Sequence, residues 1–244
     1  MLNNVNIKHI DNIDIEINTF LNDIFYYLMI MFFGLSSMIK KNKCFSNKWL
    51  RRHFCDKYVK LANKKGFRSR AIFKLEELQN SDKIFQSGMT VIDLGSAPGS
   101  WSEYAVSKIG KHGKIVACDM LPMSPIKNVH FIQGDFREKI VVNKLLNYVQ
   151  FTPINVVMSD MAANISGKSC IDIPRSIFLC NLALDVSTIT LVKGGTLLLK
   201  LFQGEGFDGF LKKIRDLFSL VKIRKPNASR ASSREVFIVA AKRK

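Results

Sequence analysis

The sequence predicts an α/β protein whose core is a mostly parallel, seven-stranded sheet with helices on both faces. From about residue 90 onward, short apolar segments typical of strands alternate with longer helical patterns. Such alternation is typical of parallel sheets covered on both sides. The chain has 244 residues, of which 47% are hydrophobic. This length and composition suit one α/β domain of about 200 residues with an additional segment.

The predicted elements follow one another with short connections. A basic stretch from Ser46 reads as two helices broken near Gly66, with Ser46 and Ser69 as caps. The predicted strands are Thr90–Asp93, Lys114–Cys118, Val129–Gln133, Asn155–Ser159, Thr196–Phe202, Leu220–Arg224 and Glu235–Ala240. The predicted helices between them are Trp101–Ile109, Arg137–Tyr148, Pro174–Leu191 and Phe207–Phe218.

Residues 1–43 differ in composition from residues 44–244, which we predict to form the functional domain. This extension begins with a polar, acidic stretch and continues into an apolar run, Ile24–Met38. The run is too short for a comfortable membrane span of about 20 residues, and a stable span is not expected. Three interpretations stay open: an organelle-targeting signal, a membrane-surface helix, or an upstream extension before a start at Met38. We expect an organellar location, mitochondrial in the first instance, with another organelle or the cytoplasm as alternatives.

The chain is strongly basic. It carries 37 Lys and Arg against 20 Asp and Glu, a formal charge of +17. A polyanion such as nucleic acid is the usual partner of such a chain, although compositional drift in an AT-rich genome gives the same excess. The cations are concentrated between Lys48 and Lys74, where Asp56 is the one acid. From this segment we predict six RNA contacts: Arg51, Arg52, Lys64, Lys65, Arg68 and Arg70.

Cysteine and histidine patterns favour neither a metal site nor a disulfide framework. The five cysteines include no C-x-x-C pair, and the four histidines form no motif. A reducing compartment and a chemistry without a bound metal are therefore expected.

The turn after the first predicted strand, in "VIDLGSAPGSW", is a candidate ligand site. It lacks the full G-x-G-x-x-G spacing, and Pro98 removes a backbone N–H that a pyrophosphate would need. Asp93 at its edge would repel phosphate. The acid suits a ligand with cationic and hydroxylated parts, such as S-adenosylmethionine. A simple strand–turn–helix packing joint is the alternative.

Three further strand ends carry acids. Asp119 follows the second strand, where an acid commonly accepts hydrogen bonds from ribose hydroxyls. Asp135 follows the third strand, in position to meet an adenine amino group, and Asp160 follows the fourth. Lys200 lies within the apolar fifth strand, and a buried lysine needs a partner, for which Asp160 is the candidate.

With these residues in place, the chain resembles the FtsJ-type RNA ribose 2′-O-methyltransferases. The matching stretches include "HFCDKYVKLANKKGFRSRAIFKLEEL", "VIDLGSAPGSWSEY", "IVACDMLPM", "IQGDFR", "VVMSDMAANISG", "KLFQGEGFDGFL" and "IRKPNASRASSREVFIVA". They occur in order from about residue 46 to 242. The resemblance implies a Rossmann-like, S-adenosylmethionine-dependent methyltransferase fold. "CDKYV" and "FQGEGF" are most similar to the bacterial and mitochondrial branch, which implies a uridine of large-subunit ribosomal RNA as substrate.

The resemblance also implies site residues. The catalytic set is Lys74, Asp160, Lys200 and Glu235. The cofactor-binding set is Asp93, Gly95, Pro98, Gly99, Trp101, Asp119, Asp135 and Asp160. Ser100 and Ala163 depart from the family pattern, which has glycine and proline at these two positions. The implied partner is large-subunit ribosomal RNA or an assembling large subunit, bound by a monomer without a metal.

Two other functions stay open at this point. One is 2′-O-methylation of tRNA or an mRNA cap, and the other is RNA binding without catalysis on the same fold. Lys200 is the central catalytic candidate. It would either orient the ribose hydroxyl or, if neutral, accept its proton.

Overall fold

A computed structural model of the chain describes residues 55–162, 166 and 168–244. Several predictions lie outside these residues: the extension 1–43, the cap Ser46, the RNA contacts Arg51 and Arg52, and the substituted position Ala163.

The centre of the described structure is one seven-stranded sheet. Its strands are β1 Thr90–Leu94, β2 Lys114–Asp119, β3 Val129–Gln133, β4 Ile154–Ser159, β5 Leu191–Phe202, β6 Phe218–Arg224 and β7 Glu235–Arg243. They lie in the order β3-β2-β1-β4-β5-β7-β6. The first five are parallel, whereas β7 runs antiparallel between β5 and β6. The predicted mostly parallel, Rossmann-like sheet is confirmed.

Six helices cover the sheet within the described residues. They are α1 Lys57–Lys65, α2 Ala71–Asp82, α3 Ser100–Ile109, α4 Lys139–Val149, α5 Ser169–Thr190 and α6 Phe207–Leu217. Side chains of α1, α2 and α3 pack in the core on one face of the sheet, and those of α4, α5 and α6 pack on the other. None of these helices is long and apolar enough to cross a bilayer.

The alternation of side chains along the strands decides which face the candidate site residues occupy. Val91, Ala117, Met158 and Leu198 all belong to the core on the α1–α3 face. Successive residues of a strand point to opposite faces, so the residue two positions later points the same way. This rule places Asp93, Asp119, Asp160 and Lys200 on that face, toward the carboxyl ends of the parallel strands.

The break between the first two helices is confirmed. Gly66 ends α1 in the left-handed region, with φ of 70°. A β-carbon is disfavoured in this conformation, which explains the glycine. The side chain of Asp56 caps the start of α1 by accepting from the Tyr58 N–H at 2.9 Å. The Ser69 hydroxyl accepts from the Ala71 N–H at 3.2 Å, at the start of α2.

Two elements begin five residues earlier than the sequence predicts. β5 starts at Leu191 rather than Thr196, because the strand continues through Gly194 and Gly195, which are weak strand formers. α5 starts at Ser169 rather than Pro174. The proline near its start removes one backbone hydrogen bond, and helix pattern rules treat this residue type as a boundary.

Candidate active site

The turn after β1 has two glycines that its geometry requires. Gly95 has φ of 76° and Gly99 has φ of 105°. A β-carbon at Gly95 would lie 2.7 Å from Met161 Cγ and 2.9 Å from Met161 Cα. A β-carbon at Gly99 would lie 2.8 Å from Ile126 Cδ1. The turn, which contains a cis Ala97–Pro98 peptide, is therefore closely approached by the loops after β4 and β2.

Asp119 holds this turn against the end of β2. Its Oδ2 accepts from the Ala97 N–H at 2.9 Å, and its Oδ1 accepts from the Leu121 N–H at 2.8 Å. Burial raises the pKa of Asp119, and the backbone hydrogen bonds offset part of that effect. The carboxylate keeps lone pairs beyond those two bonds for a further donor such as a hydroxyl.

Asp93 is fully buried beneath the turn. Its Oδ2 accepts from the Ser102 hydroxyl at 2.6 Å, in the first turn of α3. Its Oδ1 has no hydrogen-bond partner in the described structure. Burial raises the pKa of Asp93 to about 7; the Ser102 bond opposes this rise, and the charges of Asp160 and Asp119 add to it. Asp93 is thus a buried acid with an unmet hydrogen-bonding atom.

Asp135, the predicted adenine contact, is bound by a neighbouring arginine. Arg137 Nε donates to Asp135 Oδ2 at 2.9 Å and Arg137 Nη2 donates to the same atom at 2.6 Å. These bonds lower the pKa of Asp135. An adenine amino group would have to share this carboxylate with Arg137.

The side chain of Trp101 points inward rather than toward the turn. It is 3% exposed, donates from Nε1 to the Ala71 carbonyl at 3.0 Å, and lies 5.9 Å from the Phe237 ring. Only its backbone, in the first turn of α3, is left for the predicted cofactor contact. The indole thus connects α3 with α2 and β7, next to the turn.

The serine at position 100 has a local explanation. The Ser100 hydroxyl is buried and lies 2.7 Å from the hydroxyl of Ser69. The two serines hydrogen-bond each other across the junction of α2 and α3. The extra side chain at this turn is thus accommodated with its polar atom satisfied.

Lys200 and Asp160 form a largely buried ion pair at the carboxyl end of the sheet. Lys200 Nζ lies 2.8 Å from Asp160 Oδ1 and donates to the Asp160 carbonyl oxygen at 2.5 Å. The side chains are 7% and 19% exposed. The predicted pairing of these residues is confirmed.

Lys74 and Glu235 form a second ion pair on the same face. Lys74 Nζ lies 2.7 Å from Glu235 Oε1, which also accepts from the Ser229 hydroxyl at 2.7 Å. Lys74 Nζ is 5.5 Å from the centre of the Phe237 ring, and Phe237 pairs with Lys200 across β5 and β7. Phe237 thus lies between the two pairs, and all four predicted catalytic residues share one region.

The predicted RNA contacts in the described part of the chain divide into two groups. Lys64 and Lys65 are exposed on α1. Arg68 instead donates to the carbonyls of Pro98 and Ser124, each at 3.0 Å. Arg70 bonds the carboxylate of Asp56 and a backbone carbonyl. Both arginines stabilise loops of the site, a role that a cluster of cations in the sequence does not reveal.

The arrangement fits a cationic, hydroxylated ligand. Three acids, Asp93, Asp119 and Asp160, lie at the ends of adjacent strands around the glycine turn, and one carboxylate oxygen of Asp93 and one of Asp160 are buried without a hydrogen-bond partner among the described residues. S-adenosylmethionine has a sulfonium, an amino group and ribose hydroxyls, which match these acceptors. Within the described residues, no group of three His, Cys, Asp or Glu side chains is placed to hold a metal.

Comparison with known proteins agrees with this geometry. Residues 67–243 match the family model of FtsJ-like methyltransferases. A structure from Plasmodium falciparum, named as a ribosomal RNA methyltransferase, is similar at 30% identity with a TM-score of 0.64. The match covers 72% of this chain and 98% of that one. A Clostridium thermocellum structure named as an rRNA methylase matches at 18% identity and a TM-score of 0.47, over 69% and 96% of the two chains. That distant match adds nothing to the assignment. The family match covers well over half of the sequence and includes all four predicted catalytic residues, and the chain therefore belongs to the FtsJ-like methyltransferase family.

Proposed function

We propose that this methyltransferase transfers a methyl group from S-adenosylmethionine to a ribose 2′-hydroxyl of large-subunit ribosomal RNA, at a uridine. The proposal rests on two ion pairs beside the glycine turn, Lys200–Asp160 and Lys74–Glu235. A set of two lysines and two acids suits a hydroxyl nucleophile, which needs both a hydrogen-bond donor and proton acceptors.

The acids at the strand ends would hold the cofactor. Asp119 would accept the ribose hydroxyls, Asp135 the adenine amino group, and the turn from Gly95 to Gly99 would contact the remainder through its backbone. When bound, S-adenosylmethionine supplies an electrophilic methyl group on a sulfonium. The negative charge around the turn favours that positive group.

Lys200 would orient the ribose hydroxyl. An ammonium group has three N–H donors; Lys200 Nζ donates one to the Asp160 carbonyl oxygen and forms an ion pair with the Asp160 carboxylate. Lys200 thus keeps an N–H donor that can meet the hydroxyl oxygen. Lys200 would thus help to position the hydroxyl oxygen for attack, and positioning two reacting groups can supply up to roughly 7–11 kcal/mol of a barrier reduction.

The reaction forms a bond between the hydroxyl oxygen and the methyl carbon, breaks the bond between that carbon and sulfur, and releases the hydroxyl proton. Lys200 accepts this proton only if it has first lost its own. Single-turnover rates measured across pH distinguish the two cases. If Lys200 accepts the proton, the rate should rise with pH as the lysine loses its own proton. If a charged Lys200 only orients the hydroxyl, no such rise is required.

Three observations support RNA as the substrate. The chain has a formal charge of +17, and Lys64 and Lys65 are exposed on the helix that precedes the one carrying Lys74. The similar Plasmodium falciparum structure is named as a ribosomal RNA methyltransferase. The motifs "CDKYV" and "FQGEGF" support the bacterial and mitochondrial branch, and with it a uridine.

We also propose that residues 1–43 direct the protein to an organelle, the mitochondrion first. The support is that the segment precedes every matching motif, contains the apolar run Ile24–Met38 and differs in composition from residues 44–244. A fusion of this segment to a fluorescent reporter should colocalise with a mitochondrial marker. A diffuse reporter would contradict the proposal.

The central experiment offers the purified chain three substrates: ribosomal RNA, tRNA and capped mRNA, each with tritium-labelled S-adenosylmethionine. We expect label in large-subunit ribosomal RNA, recovered after digestion as 2′-O-methyluridine. Label on a base would contradict the proposed nucleophile, and label only in tRNA or the cap would contradict the substrate. RNA binding without any label would favour a non-catalytic protein.

A further inference from the structure

A second cleft lies at the amino ends of the strands, on the edge of the sheet opposite the catalytic residues. It has a volume of about 650 Å³, within the usual range of about 300–1,000 Å³ for ligand sites. The first residues of β1, β2 and β3 line it, namely Thr90, Lys114 and Val129, together with the end of α4. A strand rises about 3.3 Å per residue, so Lys114 lies roughly 16 Å along β2 from Asp119.

The cleft presents two lysines and a histidine without acids. Lys111, His112 and Lys114 line it, and all three are exposed. None of the residues that line the cleft in the described structure is acidic. Neither lysine forms an ion pair with a described residue. Both positive charges are therefore available to an anion.

An aromatic platform adjoins these cations. The rings of His130 and Tyr148 stack with centres 3.8 Å apart and planes 3° from parallel. Tyr148 is 52% exposed, and Phe151, next to the lining residue Thr152, is 91% exposed. Packing within the protein leaves much of these rings uncovered.

Cations and stacked aromatic rings together have the chemistry that binds single-stranded nucleic acid. Lysines contact phosphates, and aromatic rings stack on bases of any sequence. Exposed rings alone would suit a protein partner equally well. The unpaired lysines and the absence of acids among the lining residues favour a polyanion.

We propose that this cleft is a second RNA-binding site, which holds an unpaired segment of the substrate RNA away from the methylated nucleotide. Lys111 and Lys114 contact phosphates, and a base stacks on Tyr148. This inference rests on the proposed RNA substrate. It predicts that long RNA binds more tightly than a short oligonucleotide that reaches only the catalytic edge.

The first test changes the charges. Lys111→Ala combined with Lys114→Ala should weaken binding of a long ribosomal RNA fragment and lower the slope of log affinity against log salt by about 1.4–1.8. Methyl transfer to a saturating short oligonucleotide should stay unchanged. The matched control is Lys212→Ala combined with Lys242→Ala, two exposed lysines outside the cleft. An equal loss in the control would reduce the effect to net charge and overturn the site.

The second test changes the platform. Tyr148→Ala should weaken binding of single-stranded RNA by about 5- to 150-fold, the range of one lost base stack. Tyr148→Phe keeps the ring and should bind like the wild type. Thermal unfolding shows whether each variant is folded. Crosslinking of the wild-type chain to RNA containing 4-thiouridine, followed by peptide mapping, does not depend on any variant and should label the peptide that contains Tyr148.

Failure of this site is distinguishable from failure of the proposed function. If the wild type methylates ribosomal RNA, but the cleft variants bind it normally and no crosslink reaches Tyr148, only the second site is wrong. If the wild type neither binds nor methylates RNA, the proposed function fails first, and the cleft proposal with it. Self-association that Tyr148→Ala abolishes, without an effect on RNA, would identify a protein interface and overturn the site.

Discussion

The two edges of the sheet use positive charge in opposite ways. At the carboxyl edge, Lys74 and Lys200 are each bound to an acid and largely buried. At the amino edge, Lys111 and Lys114 are exposed and form no ion pair with a described residue. An ion pair holds a lysine ammonium in a fixed position, which suits hydrogen bonding to one reacting oxygen. Unpaired lysines suit a flexible polyanion, because screened surface charges attract it without fixing its geometry.

The largest effect that would test this contrast is at Lys200. Lys200→Ala should lower the single-turnover rate of methyl transfer by about 10²–10⁴, the typical range for one positioned proton-handling group. Cofactor affinity, measured by calorimetry, should be nearly unchanged, because the residue acts mainly in the transition state. Asp135→Ala should show the reverse pattern and weaken cofactor binding first. Near-normal turnover of Lys200→Ala would make Lys200 only a structural partner of Asp160.

The second effect concerns the stability of the other pair. Lys74→Ala leaves Glu235 buried with only the Ser229 hydroxyl, so it should destabilise the fold by about 3 kcal/mol, the lower end for a broken buried ion pair. The matched control, Lys74→Met with Glu235→Gln, removes both charges and should recover most of that loss while staying inactive. Denaturant unfolding measures both. Equal destabilisation by the single and double variants would show that packing, not the unpaired charge, is responsible.

The third effect is a pH dependence at Asp93. Its pKa is about 7 in the folded protein against 3.8 ordinarily. Between these values the folded state keeps a proton that the unfolded state releases, so this group lowers stability as pH rises from about 4 to 7, by about 4 kcal/mol at most. Asp93→Asn should flatten that decline in unfolding measurements.

Asp82 provides the opposite control for this pH experiment. Arg224 and Lys222 bond its carboxylate, and the Arg224 hydrogen bond is the main cause of its lowered pKa. Its stabilisation is present above its ordinary pKa of 3.8 and is lost as pH falls through the lower folded value. Asp82→Asn should therefore lower stability by a constant amount above about pH 4 and remove the loss toward acid, without changing the slope between about pH 4 and 7. A pH profile of Asp93→Asn identical to that of the wild type would contradict the assignment to Asp93.

The smallest effect is on α1. Lys64→Ala with Lys65→Ala should weaken RNA binding modestly and reduce its salt slope by about 1.4–1.8, if each lysine makes one phosphate contact. Filter binding at several salt concentrations measures this slope. The change should be additive with that of the cleft variants, because the two surfaces are separate. An unchanged slope would remove these two lysines from the RNA interface.

Most of the fold could be predicted from the sequence because its signals are local. Buried strands and turn residues recur regularly, and β3 has the predicted bounds, Val129–Gln133. The early start of β5 was missed because Gly194 and Gly195 carry no strand signal. Within the strand, tertiary pairing overrides this weak propensity.

The site was predictable to a lesser degree. Residues at strand ends could be placed together, since parallel strands bring their ends to one edge, and Lys200 meets Asp160 as expected. The inward turn of Trp101 and the bonds of Arg68 to Pro98 and Ser124 depend on packing between distant segments. A run of basic residues does not distinguish an arginine that ties loops together from a lysine that faces solvent.

The position of β7 between β5 and β6 has a consequence for how the protein is made. Glu235, at the start of β7, meets a lysine that the ribosome added about 160 residues earlier. At about 5–20 residues per second, roughly 8–32 s separate the synthesis of Lys74 from that of Glu235. During synthesis the nascent chain can form the glycine turn and the first parallel strands before Glu235 is added. The order of the strands therefore completes the predicted catalytic set only when β7 has been synthesised.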